Sequence, residues 1–230
     1  MPGSVGSTKR DWLARVIPSR VRTFDLINAN AEFVRQKQVF ARLPIAADRF
    51  SMYDYLNENL GNRAIDYLEF GVWKGASIER WSTLNRSPTS RFVGFDTFEG
   101  LPESWIAGHP KGTFAVAGLP PAIADSRVSF HKGLFQHTLY PFLRSFQRNE
   151  QLVVHVDCDL YSSTLFCLAA LDPFLRPGDI VIFDDFHSLD HEFAAFLDYQ
   201  RSFYRTLEPL TCVRYCLSAA FRVARAGNGG

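Results

Sequence analysis

Two pairs of aspartates stand where apolar strands should be running out. "LVVHVDCDLYSS" ends a run of valines on Asp157 and Asp159, and "DIVIFDDF" ends one on Asp184 and Asp185. One helical crossover separates the two runs, so their strands are expected side by side with all four carboxylates at one mouth. Acids crowded in that way repel unless a cation sits among them or protons are taken up. Oxygen ligands of this kind favour magnesium, calcium or manganese over zinc. The plain alternative is that each pair is ordinary strand-end charge that meets water or caps the next helix. His187 and His191 would add a zinc or iron site only if a helix had already begun at 187. His109, His131, His137 and His155 have no partner that the sequence identifies.

A second constellation lies upstream. "YLEFGVWKGAS" carries glycines across a strand-to-helix turn, where Gly71 permits a tight turn and Gly75 a close approach of ligand or helix. Free amides at such a helix start receive an anionic group such as a carboxylate. Asp96 ends the next expected strand, where an acid is placed to accept both hydroxyls of a ribose. The spacing is not G-x-G-x-x-G and the third glycine of the nicotinamide fingerprint is missing. A solvated acid beside a tight turn is the plain alternative here.

These residues must be positioned by something, and the chain between them alternates. Strands are expected over 64–73, 91–98, 127–133, 152–159 and 179–186, each a short apolar run. Helices are expected over 51–60, 75–86, 135–147, 163–178 and 190–205. In the helix "RFSMYDYLNENLG", Ser51 reads as the N-cap, Phe50 as a staple against Tyr55, and Gly61 as the stop. "LEPLTCVRYC" and "AAFRVAR" finish the chain as two strands joined by almost nothing, hence antiparallel. The fold class is therefore α/β, a doubly wound, mostly parallel seven-stranded sheet with a C-terminal antiparallel hairpin and N-terminal helices. A hairpin ending of that kind belongs to the class I S-adenosylmethionine methyltransferase fold, a Rossmann-like architecture. Residues 1–50 read as a tail with one or two helices interrupted near Pro18, and 51–230 as the main domain. The stretch Glu99 to Asp125 has no regular pattern.

Composition removes other functions. With 47% hydrophobic residues in 230, the chain can bury a sizeable core. A net charge of +1 gives no electrostatic case for nucleic acid or an anionic membrane. No apolar run reaches bilayer length, and the basic N-terminus lacks the apolar core of a secretory signal, so a cytoplasmic location is expected. Cys158, Cys167, Cys212 and Cys216 form neither a CxxC pair nor a zinc spacing and are expected as buried thiols.

Taken together, "YLEFGVWKGAS", "FVGFDTFEGLPESW", "HKGLFQHTL", "VDCDLYSST" and "PGDIVIFDDFH" resemble the macrocin O-methyltransferase family over roughly residues 50–190. Members of that family are magnesium-dependent enzymes that methylate sugar hydroxyls of natural products. The resemblance implies that S-adenosylmethionine and Mg2+ are bound and that the acceptor is a small-molecule hydroxyl, on a glycoside. It implies metal ligation by Asp157, Asp184 and Asp185, with Asp159 as general base. It sets Glu69, Gly71, Val72, Gly75 and Ser77 around the methionine moiety, Asp96 and Thr97 at the ribose, and Lys132 and Gly133 beside the adenine. It implies a closing loop over 99–125, with Trp105 as a substrate contact, and a homodimer. Cys158 and Ser162 depart from the glycine and glutamate usual at their positions. Two further readings remain from the residues alone. A nicotinamide oxidoreductase would use the glycine turn and Asp96 but leave the acid cluster without a task. A non-catalytic binding protein, or a methyltransferase with a phenolic or nitrogen acceptor, would not need Asp159 as a base.

Overall fold

Every residue of the central strands is buried, which is possible only if both faces of the sheet are covered. In the computed structural model, which describes residues 20–61 and 63–224, this holds for β2 (Ile65–Phe70), β5 (Gln151–Val156) and β6 (Ile180–Phe183). On one face Ile65, Tyr67, Val153 and Ile182 pack against Trp81, Tyr53 and Leu56. These come from α2 (Arg49–Leu60) and α3 (Ala76–Leu84). On the other face Phe70, Val156, Val181 and Phe183 meet α1 (Arg20–Phe40), α4 (Phe135–Ser145), α5 (Tyr161–Leu171) and α6 (Glu192–Phe203). A knot of rings, Phe183, Phe186, Phe193, Phe196 and Phe221, fills that second layer with edge-to-face and tilted contacts.

The sheet also contains β1 (Ile45–Ala46), β3 (Arg91–Asp96), β4 (Val128–Lys132), β7 (Leu207–Val213) and β8 (Ala219–Val223), in the order β1-β7-β8-β6-β5-β2-β3-β4. All pairings are parallel except those that β8 makes with β6 and β7. The doubly wound sheet with its C-terminal antiparallel hairpin is thus present, with eight strands in place of seven. The additional strand is β1, two residues that pair with Cys212 and Val213 and are too short to read from sequence.

Chain order reverses between β2 and β5, because β3 and β4 build outward on one side and β6 on the other. The strand ends around that switch are where ligands bind in such sheets. The glycine turn, Asp96 and both aspartate pairs follow the carboxyl ends of β2, β3, β5 and β6. At the opposite end of the sheet the buried Arg148 guanidinium holds Asp179 through two bonds of 2.7 Å, which ties the start of β6 to the start of β5.

Helix limits differ from expectation by a few residues at most ends. Asp48, not Ser51, caps α2, and accepts the Ser51 amide at 2.8 Å. The expected staple to Tyr55 does not form, and Phe50 instead packs on Tyr53 at 6.0 Å between centroids. Helix α5 begins at Tyr161 and gives way at Asp172 to a 3-10 turn containing Pro173. The expected break near Pro18 lies outside the described residues. Among the described residues no helix is long and apolar enough to cross a membrane.

Candidate active site

The mouth is built by one crossing of backbone. The amide of Gly71 donates to Phe95 O at 3.0 Å, that of Asp157 to Phe70 O at 2.9 Å, and that of Asp184 to Val156 O at 2.9 Å. Each strand therefore stays in register for one residue past its end and then leaves a side chain at the opening. Gly71 has φ +91°, and a Cβ there would lie 1.7 Å from the Asp157 carbonyl oxygen. No other residue fits. Asp159 sits in left-handed backbone at φ 63°, which turns its carboxylate back toward Asp185 rather than along the strand.

His155, Asp157 and Asp184 bring one ligand atom each within 4.8 Å of one another, and so do Asp157, Asp159 and Asp185. Burial raises the Asp159 carboxyl to about 8, with a hydrogen bond to Asp185 and repulsion from Asp185 and Asp184 adding to it. Burial, then Asp184 and Glu69, push Asp157 well above the carboxylate range. Burial also raises Asp185. Asp184 goes the other way: burial opposes its charge, but His155, Arg49 and the Ser218 hydroxyl outweigh it. The Arg49 guanidinium lies 3.5 Å from Asp184. One arginine does not balance four acids, so the donor set suits a divalent cation.

These acids form one wall of a cavity of about 550 Å³. Of the residues expected at a cofactor, Gly71, Asp96 and Thr97 line it, as do Asp157, Asp159, Asp184 and Asp185. Glu69, Val72, Gly75, Ser77, Lys132 and Gly133 do not line it. Glu69 is fully buried and accepts the Tyr67 hydroxyl at 2.6 Å, and burial raises its carboxyl to about 8. Ser77 pairs with Tyr53 at 3.3 Å. Gly75 gives α3 its left-handed start, and Pro121 of the long loop presses to within 2.7 Å of where its Cβ would be. Lys132 turns outward to Gly118 O at 2.8 Å and Glu99 at 3.1 Å, so it clasps the long loop. The wall where Lys132 and Gly133 were expected is made by the next three residues, Leu134, Phe135 and Gln136.

Asp96 does more than the sequence suggested. Its Oδ2 accepts the amides of Val72 and Trp73 at 2.7 and 2.8 Å, and its Oδ1 accepts Phe98 at 2.7 Å. A carboxylate has about four lone-pair sites, so one remains for a ligand hydroxyl where two were expected.

The loop Glu99–Asp125 lies over the cavity and contributes Leu101, Glu103, Trp105 and Phe114 to its lining. Phe114 meets Trp73 edge-on at 5.9 Å, and Glu103 accepts Ser162 Oγ at 2.7 Å. Sequence reasoning missed Arg49, Trp73, Glu192 and the position of His155. Glu192 is fully buried, and its Oε2 accepts the Asp185 amide at 3.0 Å. His155 had a signal: it lies two residues before Asp157, on the same face of β5. Arg49, which arrives from the far end of the chain, had none. His187 Nδ1 lies 3.8 Å from Asp185 Oδ1, but neither His187 nor His191 joins a group of ligand atoms among the described residues, so the two are not brought together as the transition-metal site considered for them.

Comparison with known proteins gives concordant results. A family model described as a methyltransferase domain matches residues 68–186. An 8-demethyl-8-(2,3-dimethoxy-alpha-L-rhamnosyl)-tetracenomycin-C 4'-O-methyltransferase of Streptomyces olivaceus is 33% identical over 141 residues. That alignment covers 53% of this chain and 52% of that protein, about half the length of the curated relative. Among solved structures, the O-methyltransferase NovP matches with a TM-score of 0.61 at 22% identity, over 77% of this chain and 80% of that one. A calicheamicin methyltransferase matches with a TM-score of 0.58 at 22% identity, over 96% and 87%. At these identities the structural likeness establishes the fold.

Proposed function

This chain belongs to the methyltransferase-domain family that its residues 68–186 match, and we propose that it is an S-adenosylmethionine-dependent O-methyltransferase acting on a sugar hydroxyl of a glycosylated natural product. The observation that carries the reading is Asp159, a carboxyl of raised proton affinity facing the same 550 Å³ cavity as Gly71 and Asp96. The tetracenomycin relative, named for methylation of a rhamnosyl group, supports the choice of a sugar acceptor. The family match sets aside the nicotinamide alternative, which also left four acids without a task.

S-adenosylmethionine supplies a methyl group on a sulfonium, and a divalent cation held by Asp157, Asp184 and Asp185 would lower the pKa of the acceptor hydroxyl and orient it. The remaining chemistry falls to the chain. Asp159 takes the hydroxyl proton. Gly71, with no side chain, leaves the end of β2 open to the cofactor's methionine part, and Glu69, Val72, Gly75 and Ser77 hold that turn from behind. Asp96 accepts one ribose hydroxyl, Thr97 fixes the turn below it through Gly100 O at 2.9 Å, and Leu134 to Gln136 face the base. Trp73, Trp105 and Phe114 supply flat apolar surface for the sugar and exclude water when the loop is down. Residues 51–230 form the catalytic unit in this reading. The 1–50 segment delivers the acceptor side, with Arg49 just inside its boundary. A homodimer and a cytoplasmic location complete it, and light scattering on purified protein tests the former.

Calorimetric titration with S-adenosylhomocysteine, with and without Mg2+, followed by a methyl-transfer screen of glycosides and phenols, tests the proposal. Binding in the micromolar range and transfer to a glycoside is the expected result. Failure to bind S-adenosylhomocysteine while binding NAD would sink it. Full transfer after exhaustive chelation would remove the cation from the mechanism.

A further inference from the structure

The acids are not alone at the mouth. His155 is completely buried on β5, yet its Nε2 has no hydrogen-bond partner among the described residues. The ring is held from the other side. Tyr67 gives its single proton to Glu69 Oε2 at 2.6 Å, so the 2.7 Å contact between the Tyr67 oxygen and His155 Nδ1 is made with the imidazole donating. The unpartnered Nε2 faces the Oδ1 of Asp184 at 3.8 Å, with Asp157 in the same group of ligand atoms.

At 3.8 Å the two atoms are too far apart for a hydrogen bond between them, so neither satisfies the other. The distance suits a shared ion. Two ligands at about 2.1 Å from one cation lie roughly 3–4 Å apart. The other ligand atoms are already engaged in ways that leave this face open: Arg49 approaches Asp184 Oδ2, and Ser218 Oγ supports Oδ1 at 3.2 Å. The Glu69–Tyr67–His155 chain is the support commonly found behind a metal-bound histidine, which donates its second nitrogen to a polar partner that fixes ring and tautomer.

We propose that His155 Nε2 ligates the cation together with Asp157 and Asp184, making a mixed nitrogen–oxygen site that takes a first-row transition ion such as Mn2+ or Co2+ in preference to Mg2+. This rests on the reading that the acids hold a cation, and it changes which one. Magnesium takes oxygen ligands and holds its waters, whereas an imidazole nitrogen raises affinity along the series from manganese toward copper. Asp185 and Asp159 then lie on the open, acceptor side of the ion.

The test uses full-length protein stripped with chelator and loaded with Mn2+ or Co2+ alone. Pulsed electron paramagnetic resonance of the Mn2+ form should show modulation from a directly bound nitrogen-14. Competition should show Mg2+ displacing Mn2+ only at an excess of about ten-fold or more. His155→Gln, which keeps a donor for Tyr67, should abolish the nitrogen signal. It should weaken Mn2+ and Co2+ binding by about 10–100-fold, while Mg2+ binding changes less than about two-fold, since its ligands are oxygens. The wild-type spectrum decides the matter even if that variant does not fold. Mn2+ bound without nitrogen modulation overturns the proposal and leaves the all-carboxylate site standing. Binding of no divalent ion overturns both, while S-adenosylhomocysteine binding would still report on the methyltransferase reading.

Discussion

Asp157 and Asp159 are two residues apart in sequence and face different tasks because the backbone between them changes hand. Asp157 leaves β5 in register, while Asp159 at φ 63° swings back toward Asp185. A carboxyl raised to about 8 by burial is a stronger base than an exposed aspartate. Asp159→Asn should therefore keep S-adenosylhomocysteine affinity within about two-fold and lower kcat by about 10²–10⁴, the usual worth of a general base. An unchanged kcat would take the base role from it. Glu69 poses a different question, since it faces Tyr67, His155 and Asp184 and not the cavity. Its folded value of about 8 against an ordinary 4.5 means that the native state binds the proton more tightly. Its contribution to stability is then full below pH 4.5 and is lost as pH rises through about 8. In Glu69→Gln that loss should shrink by up to a few kcal/mol. Urea midpoints of both proteins at pH 5 and pH 8 measure it, and parallel slopes would mean that Glu69 is ionised in the fold.

At the level of elements, the strands were legible because they are buried on both faces. β2, β5 and β6 read as near-continuous apolar runs, and the acids that interrupt them mark where they end. Helix limits were less so. Asp48 outcompetes Ser51 as the cap of α2 because the chain enters from β1, a two-residue strand with no periodicity to detect. Of the site, the residues that follow a strand end were visible from sequence, and Arg49 and Glu192, brought in by helix packing, were not. Gly71 shows how tightly the elements are set against each other. The β2 and β5 ends cross so closely that any Cβ meets a carbonyl oxygen, not a side chain that can swing away. Gly71→Ala adds left-handed strain to that overlap, and a cost of at least about 3 kcal/mol is expected. For a chain of this size it corresponds to a fall in Tm of roughly 6–12 °C by calorimetry. A loss under a degree would mean that the crossing can open.

At the scale of the whole molecule, the sheet is a fixed floor and the long loop a cover with polar attachments on two sides. Phe98 O holds the amides of Val116 and Gly118 at 3.1 and 2.8 Å, and Lys132 reaches from β4 to Gly118 O and Glu99. The other attachment is Glu103 on Ser162, directly above the acids. The sequence showed that this stretch was irregular but not that Lys132, expected at the cofactor, would hold it. A single ammonium bonding a backbone carbonyl and a carboxylate at once joins the two flanks of the loop, so its removal frees the cover without touching the floor. Lys132→Met keeps the aliphatic stem and deletes both contacts. Trypsin cleavage after Lys111, in the middle of the cover, should then be several-fold faster than in the parent protein, because cleavage follows the population of the opened loop. S-adenosylhomocysteine, seated beneath the loop, should slow cleavage in both proteins, and the KM for the acceptor should rise more than kcat falls. Equal cleavage rates in the two proteins would show that the contacts left in place, Glu103 on Ser162 and Phe114 on Trp73 among them, keep the cover down without Lys132.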